Sequence, residues 1–343
     1  MRSNASTRPV TVLQAKINMA EVTLIDALTM AMAWELEHDP SVIVLGEDVG
    51  VNGGVFRATA GLQKQFGGDR VQDTPLAEGM IAGISVGMAA QGMRPIAEIQ
   101  FMGFIYPTVD QIINHAGRMR NRTRGRLTCP MVLRAPFGGG IHAPEHHSES
   151  TEALFAHMPG IRVVIPSSPT RAYGLLLAAI RDPDPVVFLE PKRIYRLNKQ
   201  SVEDNGKALP MDVCYILREG SDVTVVTWGA MTFETLKAVD QLARKGVRCE
   251  VIDLTTISPI DYETILESVQ KTGRLVIVHE AARTCGVGAE IAAIVAEKGI
   301  YDLVGPIRRV TGYDVVMPLF RREMDYMPSV RKIVDSINES LAD

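Results

Sequence analysis

The chain has 343 residues, 46% of them hydrophobic and 22% charged, with a formal net charge of −4. Such a composition belongs to a globular protein long enough to build two cores, and its slight acidity excludes a general attraction to nucleic acid or anionic membranes. Four cysteines, Cys129, Cys214, Cys249 and Cys285, are scattered without paired spacing, which excludes a disulfide framework or a zinc site of the usual kind and fits a reducing compartment.

Residues 1–20 carry Arg2, Arg8 and Lys16 and no acid, so they read as a loose extension with some features of a presequence, with Met19-Ala20-Glu21 as an alternative start. From residue 21 helix and strand signals alternate. The spacing predicts a helix over Leu24–Glu37 and a buried strand over Val42–Leu45, ended by Gly46. A helix containing Gly87 precedes a strand at Arg94–Phe101, a helix at Thr108–Arg122 and strands at Met131–Arg134, Val163–Ile165 and Val186–Leu189. Periodicity then fails, and residues 201–221 read as a connector between a domain over 21–200 and another over 222–343. In the second, strands are expected at Val223–Thr227, Arg248–Leu254, Leu275–Val278 and Ile307–Val310, with helices at Phe233–Lys245, Tyr262–Gln270 and Ala289–Ala296. The pattern is α/β with two doubly wound parallel-sheet domains. Gly286-Val287-Gly288 lacks the third glycine of a dinucleotide fingerprint, and neither a phosphate loop nor a Gly-x-Ser-x-Gly elbow occurs.

Thr74-Pro75-Leu76-Ala77-Glu78 opens a stretch in which fifteen uncharged residues separate Glu78 from Arg94. It is too short and too rich in glycine for the roughly 20-residue apolar helix that crosses a bilayer. Pro75 and Glu78 suit a first helical turn, and a solvated cap would explain the carboxylate. Gly79, Gly83 and Gly87, however, recur every four residues on one face at a cost of up to ~1 kcal/mol each relative to Ala. A soluble helix tolerates that where something approaches closely. The spacing therefore predicts a contact at this helix and makes Glu78 a candidate for chemistry.

A second dense stretch runs from Phe137-Gly138-Gly139-Gly140 to His146-His147-Ser148. Its glycines and Pro144 make a loop, so His142 and His146, four apart, are not expected to share a helical metal site. Loops leaving the C-terminal ends of parallel strands are where such sheets place their sites. Arg118, Arg120, Arg122, Arg124 and Arg126 alternate without interleaved aromatics, which favours a solvated face or protein interface over nucleic acid.

The blocks Gly46-Glu47-Asp48-Val49, Gly53-Gly54-Val55-Phe56-Arg57, Asp73-Thr74-Pro75-Leu76-Ala77-Glu78, Ala97-Glu98-Ile99-Gln100-Phe101, His147-Ser148 and Leu189-Glu190-Pro191 stand in this order. Together they resemble the β subunits of the thiamine diphosphate-dependent 2-oxoacid dehydrogenases, from about residue 21 to the C-terminus. The resemblance implies a transketolase-like pyrimidine-binding domain followed by a smaller transketolase-like C-terminal domain. In the family, an α chain holds the diphosphate and Mg2+ through a Gly-Asp-Gly motif, which is absent here. An α subunit is therefore implied, in the usual assembly of two α with two β, together with a lipoyl-bearing dihydrolipoamide acyltransferase core.

Carried over by residue, Glu78 matches the acid that hydrogen-bonds the pyrimidine nitrogen N1′, which lets the cofactor's own imino group take the C2 proton. His147 matches a histidine facing the substrate. Leu76, Gln100 and Phe104 match residues around the pyrimidine, and Glu47 matches an acid on a proton path between active sites. A potassium ion in relatives is held by carbonyls matching Met131, Ala179 and Ile180 and by Asp182 and Asp184, where Pro183 and Asp184 depart from the usual residues. The implied reaction is oxidative decarboxylation of a 2-oxoacid with acyl transfer to lipoyl groups. Phe104, where branched-chain relatives carry Tyr, leans toward pyruvate; a branched-chain substrate and a catalytically silent docking subunit are the alternatives. The implied compartment is a bacterial cytoplasm, or alternatively a mitochondrial matrix.

Overall fold

The computed structural model describes residues 19–343. Fourteen strands are distributed over three sheets. In chain order they are β1 Met19–Val22, β2 Val42–Gly46, β3 Val71–Asp73, β4 Arg94–Glu98, β5 Val132–Phe137, β6 Arg162–Val164, β7 Val186–Pro191, β8 Gln200–Glu203, β9 Tyr215–Arg218, β10 Val223–Thr227, β11 Cys249–Asp253, β12 Thr256–Ser258, β13 Leu275–Ala282 and β14 Arg308–Gly312. A seven-stranded sheet has the order β12-β6-β7-β5-β4-β2-β3 and a five-stranded sheet the order β14-β13-β10-β11-β9. Both are parallel except at one edge, where β12 and β9 run antiparallel to their neighbours. The central strands are buried along their whole length, as parallel strands covered by helices on both faces must be.

Local chemistry accounts for the helix starts. Thr23 caps the helix Leu24–His38 in a reciprocal box with Asp26, and Ser168 followed by Pro169 starts the helix Pro169–Arg181, which packs on it. Ser329 caps the last helix, Val330–Ala342. Neither of these latter two helices is among those expected from the sequence, although Val330, Ile333, Val334, Ile337 and Leu341 recur at helical spacing. The expected helix over Thr108–Arg122 is instead broken into 3-10 turns, a π turn at Gln111–His115 and one α turn at Met119–Arg122. The break coincides with Gly117, where a Cβ would lie 3.0 Å from Ile161 and 3.3 Å from the Pro159 carbonyl.

The ends of the units also differ from expectation. Met19 and Ala20, expected in the loose extension, open β1, which pairs antiparallel with β8; the rest of that extension lies outside the described residues. The expected connector holds most of β8 and all of β9, the latter joining the five-stranded sheet. Thr256–Ser258 adds an edge strand to the seven-stranded sheet, so chain from beyond residue 222 completes the first core. The glycines of Gly286-Val287-Gly288 serve packing: a Cβ at Gly288 would lie 2.7 Å from the buried His279 imidazole. Among the described residues, no helix is long and apolar enough to cross a membrane.

At the middle of the larger sheet, Arg134 on β5 reaches both neighbouring strands. Its guanidinium makes a fork with Glu190 on β7, Nε to Oε1 at 2.6 Å and Nη2 to Oε2 at 2.8 Å, and Nη1 donates to Glu98 on β4. Tyr195 donates its hydroxyl to the same Glu190 carboxylate, and all four side chains are buried. Removing one partner of a buried ion pair leaves uncompensated charge. Arg134→Met is therefore expected to lower stability by about 3–5 kcal/mol, read as a lower urea midpoint at unchanged slope.

Candidate active site

The blocks that are separate in the sequence meet at the C-terminal ends of β2, β4, β5 and β7. The turn after β2 is knitted by its backbone: Gly54 N donates to the Asp48 carbonyl at 2.7 Å, Gly50 N to Asp73 Oδ1 at 2.6 Å, and Thr74 N to the Gly46 carbonyl at 2.9 Å. Gly54 has φ +79°, and a Cβ there would stand 2.9 Å from Glu98 Oε1, so this turn lies directly on the Arg134 cluster. Asp73 and Thr74 then lead to Glu78, the first residue of the helix Glu78–Ala90. The helix dipole favours a carboxylate at that position.

Glu78 is half-buried, and Glu47 stands close to it. Desolvation, then the charge of Asp48, then that of Glu78 raise the Glu47 pKa above the usual carboxylate value. The face of the Glu78 helix expected to make a contact is covered only in part. Gly79 packs on the Pro107 carbonyl, where a Cβ would be 3.2 Å away, and Gly83 packs on Gln111, but Gly87 has open space. Beside it, Leu76, Met80 and Ile84 are 70%, 38% and 41% exposed, an apolar stripe that begins next to Glu78.

Aromatic rings form a wall beside the histidine loop. Phe56, Phe101 and Phe104 follow one another edge to face at 5.3 and 5.7 Å, and His147 stands against both Phe101, at 4.4 Å, and Phe104, at 5.2 Å. Gln100 precedes this wall and is partly exposed. Gly103 is pressed so closely on the His146 carbonyl that no Cβ fits. The imidazole of His147 keeps Nδ1 buried without a protein partner, an orphaned polar atom of the kind that a bound group would satisfy. Its pKa is lowered by burial, by His146 and by Lys192. His142 and His146 are exposed, and no cluster of three or more His, Cys, Asp or Glu side chains suited to a metal occurs among the described residues.

The residues matched to a potassium site converge at the other end of β5 and β7, where guanidinium groups meet their oxygens. Arg94 Nη1 donates to the carbonyls of Ile180 at 2.8 Å and Asp182 at 3.2 Å. Arg162 pairs with Asp182 at 3.4 Å and Arg120 with Asp184 at 2.8 Å. The Met131 carbonyl accepts from Val186 N, and the Ala179 carbonyl accepts from Asp182 N. Arginine thus meets several of these oxygens. A cleft of about 780 Å3 lies nearby, lined by Arg120, Arg124, His157 and Arg162, and contains neither Glu78 nor His147.

Comparison with known proteins decides the family. The transketolase pyrimidine-binding domain family matches residues 20–198, and the transketolase C-terminal domain family matches residues 213–333. The pyruvate dehydrogenase E1 component subunit beta of Acholeplasma laidlawii is 52% identical over 321 residues, covering 94% of this chain and 98% of the relative. Its counterpart in Bacillus subtilis strain 168 is 47% identical over 323 residues, covering 94% and 99%. The chain belongs to the pyruvate dehydrogenase E1 β family. A split-gene transketolase solved as an inactive β4 tetramer superposes with a TM-score of 0.70 at 20% identity, over 94% of this chain and 99% of that one, and shows the shared fold.

As a member of that family, the chain is one part of a thiamine diphosphate-dependent enzyme, and an α-subunit partner is implied. The pyrimidine half of that cofactor fits the residues present: a carboxyl at a helix start, an aromatic wall and an orphaned imidazole nitrogen. Sequence reasoning missed Arg134, and it missed Lys192, Glu280 and Glu323, which touch the histidine loop; Arg134 and Glu280 lie inside buried apolar runs, the signal that would have marked them, whereas Lys192 is followed by Arg193 and Glu323 stands between exposed Arg322 and Met324.

A lowered His147 pKa means that the folded chain binds this proton less readily than the unfolded one, so acidification through pH 6.5 destabilises the fold while the imidazole stays neutral. The acid limb of kcat/KM is accordingly expected below pH 6.5 and is expected to disappear in His147→Ala, as a pH series would show.

Proposed function

We propose that this chain supplies the pyrimidine-binding half of the active site of a pyruvate dehydrogenase, with Glu78 as the group that activates the cofactor and His147 on the substrate side. The observation that supports the reading most is Glu78 at the start of a helix, near enough to Glu47 to raise its pKa, beside an uncovered apolar stripe. Thiamine diphosphate, when bound, supplies a carbon nucleophile and an electron sink for decarboxylating a 2-oxoacid.

The chain's own residues would do the following. Leu76, Gln100 and Phe104 would hold the pyrimidine ring, and Glu78 would hydrogen-bond its nitrogen N1′. Covering Leu76, Met80 and Ile84 with the α subunit removes water from the mouth of the site and leaves Glu78 with that nitrogen as its partner. His147, neutral near pH 7, would donate or accept a proton beside the substrate carbonyl. The diphosphate and Mg2+ would be held by the α subunit in an assembly of two α and two β chains, and the acyl group would pass to lipoyl groups of an acyltransferase core. The bacterial relatives favour a cytoplasmic enzyme with pyruvate preferred over 3-methyl-2-oxobutanoate.

Two measurements test this reading. Glu78→Gln, assembled with the α subunit and supplied with Mg2+ and thiamine diphosphate, is expected to keep its assembly yet lose hydrogen–deuterium exchange at the cofactor's C2 by orders of magnitude, because the change sits in the chemical step. Exchange within about threefold of wild type would remove Glu78 from the mechanism. The chain alone is expected to show no tight binding of thiamine diphosphate by calorimetry with Mg2+ present; a Kd on the order of micromolar would contradict the need for a partner.

A further inference from the structure

The loop that carries His147 leaves β5 at Phe137 and is closed on itself by a hydrogen bond from Gly138 N to the Glu149 carbonyl at 2.8 Å. Its first half rests on side chains from far along the chain. Gly139 N donates to Glu280 Oε2 at 3.0 Å, Gly140 N to Glu323 Oε1 at 2.7 Å and His142 N to Glu323 Oε2 at 2.7 Å. Lys192 Nζ donates to the Gly138 carbonyl. Glu280, Glu323 and Lys192 are all buried. The glycines follow from this contact: a Cβ at Gly138 would stand 2.5 Å from Glu280 Oε1, at Gly139 2.6 Å from Met317 Cε, and at Gly140 2.4 Å from Arg193 Cδ.

Buried carboxylates add little to stability, since desolvation offsets their attractions, and apolar residues of equal volume often serve stability as well. Here two of them turn both charge and hydrogen-bonding capacity onto the backbone of one loop. The second half of the loop is fixed from the other side, by Gly103 under His146 and by the rings of Phe101 and Phe104 against His147. We infer that Glu280 and Glu323 are positioning residues, through which the C-terminal part of the chain holds the loop and so sets where His147 stands. The inference rests on the reading of His147 as a substrate-facing group. Burial raises the Glu280 pKa and pushes the Lys192 ammonium down to about 8, as expected for charges held in a dry contact.

The two carboxylates differ in a way that a variant series can read. Glu280 accepts one loop N–H, so an amide oxygen at that position can replace it; Glu323 accepts two, one on each oxygen, so its amide cannot. In the complex with the α subunit, Glu280→Ala and Glu323→Ala are expected to slow reductive acylation of lipoyl groups by about 10–100-fold, the scale of a misplaced reacting group. Cofactor binding is expected to stay within about threefold. Glu280→Gln is expected to restore most of the rate and Glu323→Gln not to, following the number of loop N–H groups each must accept. Each change is then repeated on a His147→Ala background, where the penalty is expected to vanish because there is no imidazole left to place. An equal penalty with and without His147, or full rate in both alanine variants, overturns the positioning role. Full rate in His147→Ala alone overturns instead the reading of His147. If the alanine variants fail to fold, the contrast between the two glutamine variants, with amide exchange over residues 138–148, decides the matter.

Discussion

The arrangement of this protein depends on one buried cation. Arg134 lies in the middle of the seven-stranded sheet with its guanidinium satisfied by Glu98 on one neighbouring strand and Glu190 on the other. Such a cluster is costly to bury and costly to break, so it tolerates little variation in which strands are adjacent or in what register. Its consequence is geometric. With β4, β5 and β7 fixed side by side, the turn after β2 settles on Glu98, the aromatic wall follows from β4, and the histidine loop leaves β5 beside it. Tyr195 and Phe56, at 5.3 Å from each other, link the cluster to that wall.

From the same strand end the site acquires its two sides by different means. The Glu78 side is built on a helix start and is left apolar and uncovered on its outer face. The His147 side is built on a loop, and a loop needs external support to hold a side chain within the fraction of an ångström that chemistry demands. That support comes from Lys192 and from two carboxylates more than 130 residues downstream, so the second sheet is tied to the histidine loop through backbone amides.

Charge placement separates the site from the remainder of the surface. The arginine run, which invites thoughts of a polyanion, is exposed, and Arg120 is paired with Asp184 at the end of the sheet away from Glu78. Arg94 and Arg162 meet the Ile180 carbonyl and the Asp182 carboxylate there. Their guanidinium groups add directional hydrogen bonds to charge neutralisation.

The amino-acid sequence by itself determined the local features: apolar runs that became buried strands, glycine and proline that closed the loops, and the carboxylate at the head of a glycine-bearing helix. Those depend on neighbours within a few residues, so periodicity and turn chemistry carry them. It also marked, through the order of its short blocks, the family. Only the tertiary structure decided why Glu98 and Glu190 are present, since they answer to Arg134 across separations of 36 and 56 residues. The same holds for β8 and β9 in a stretch without periodicity, for glycines that yield to the ring of His279, and for the carboxylates under the histidine loop. The physical reason is common to all of them: the partner of a buried charge or of a missing side chain is fixed by which elements come to lie side by side, and no local pattern records that adjacency.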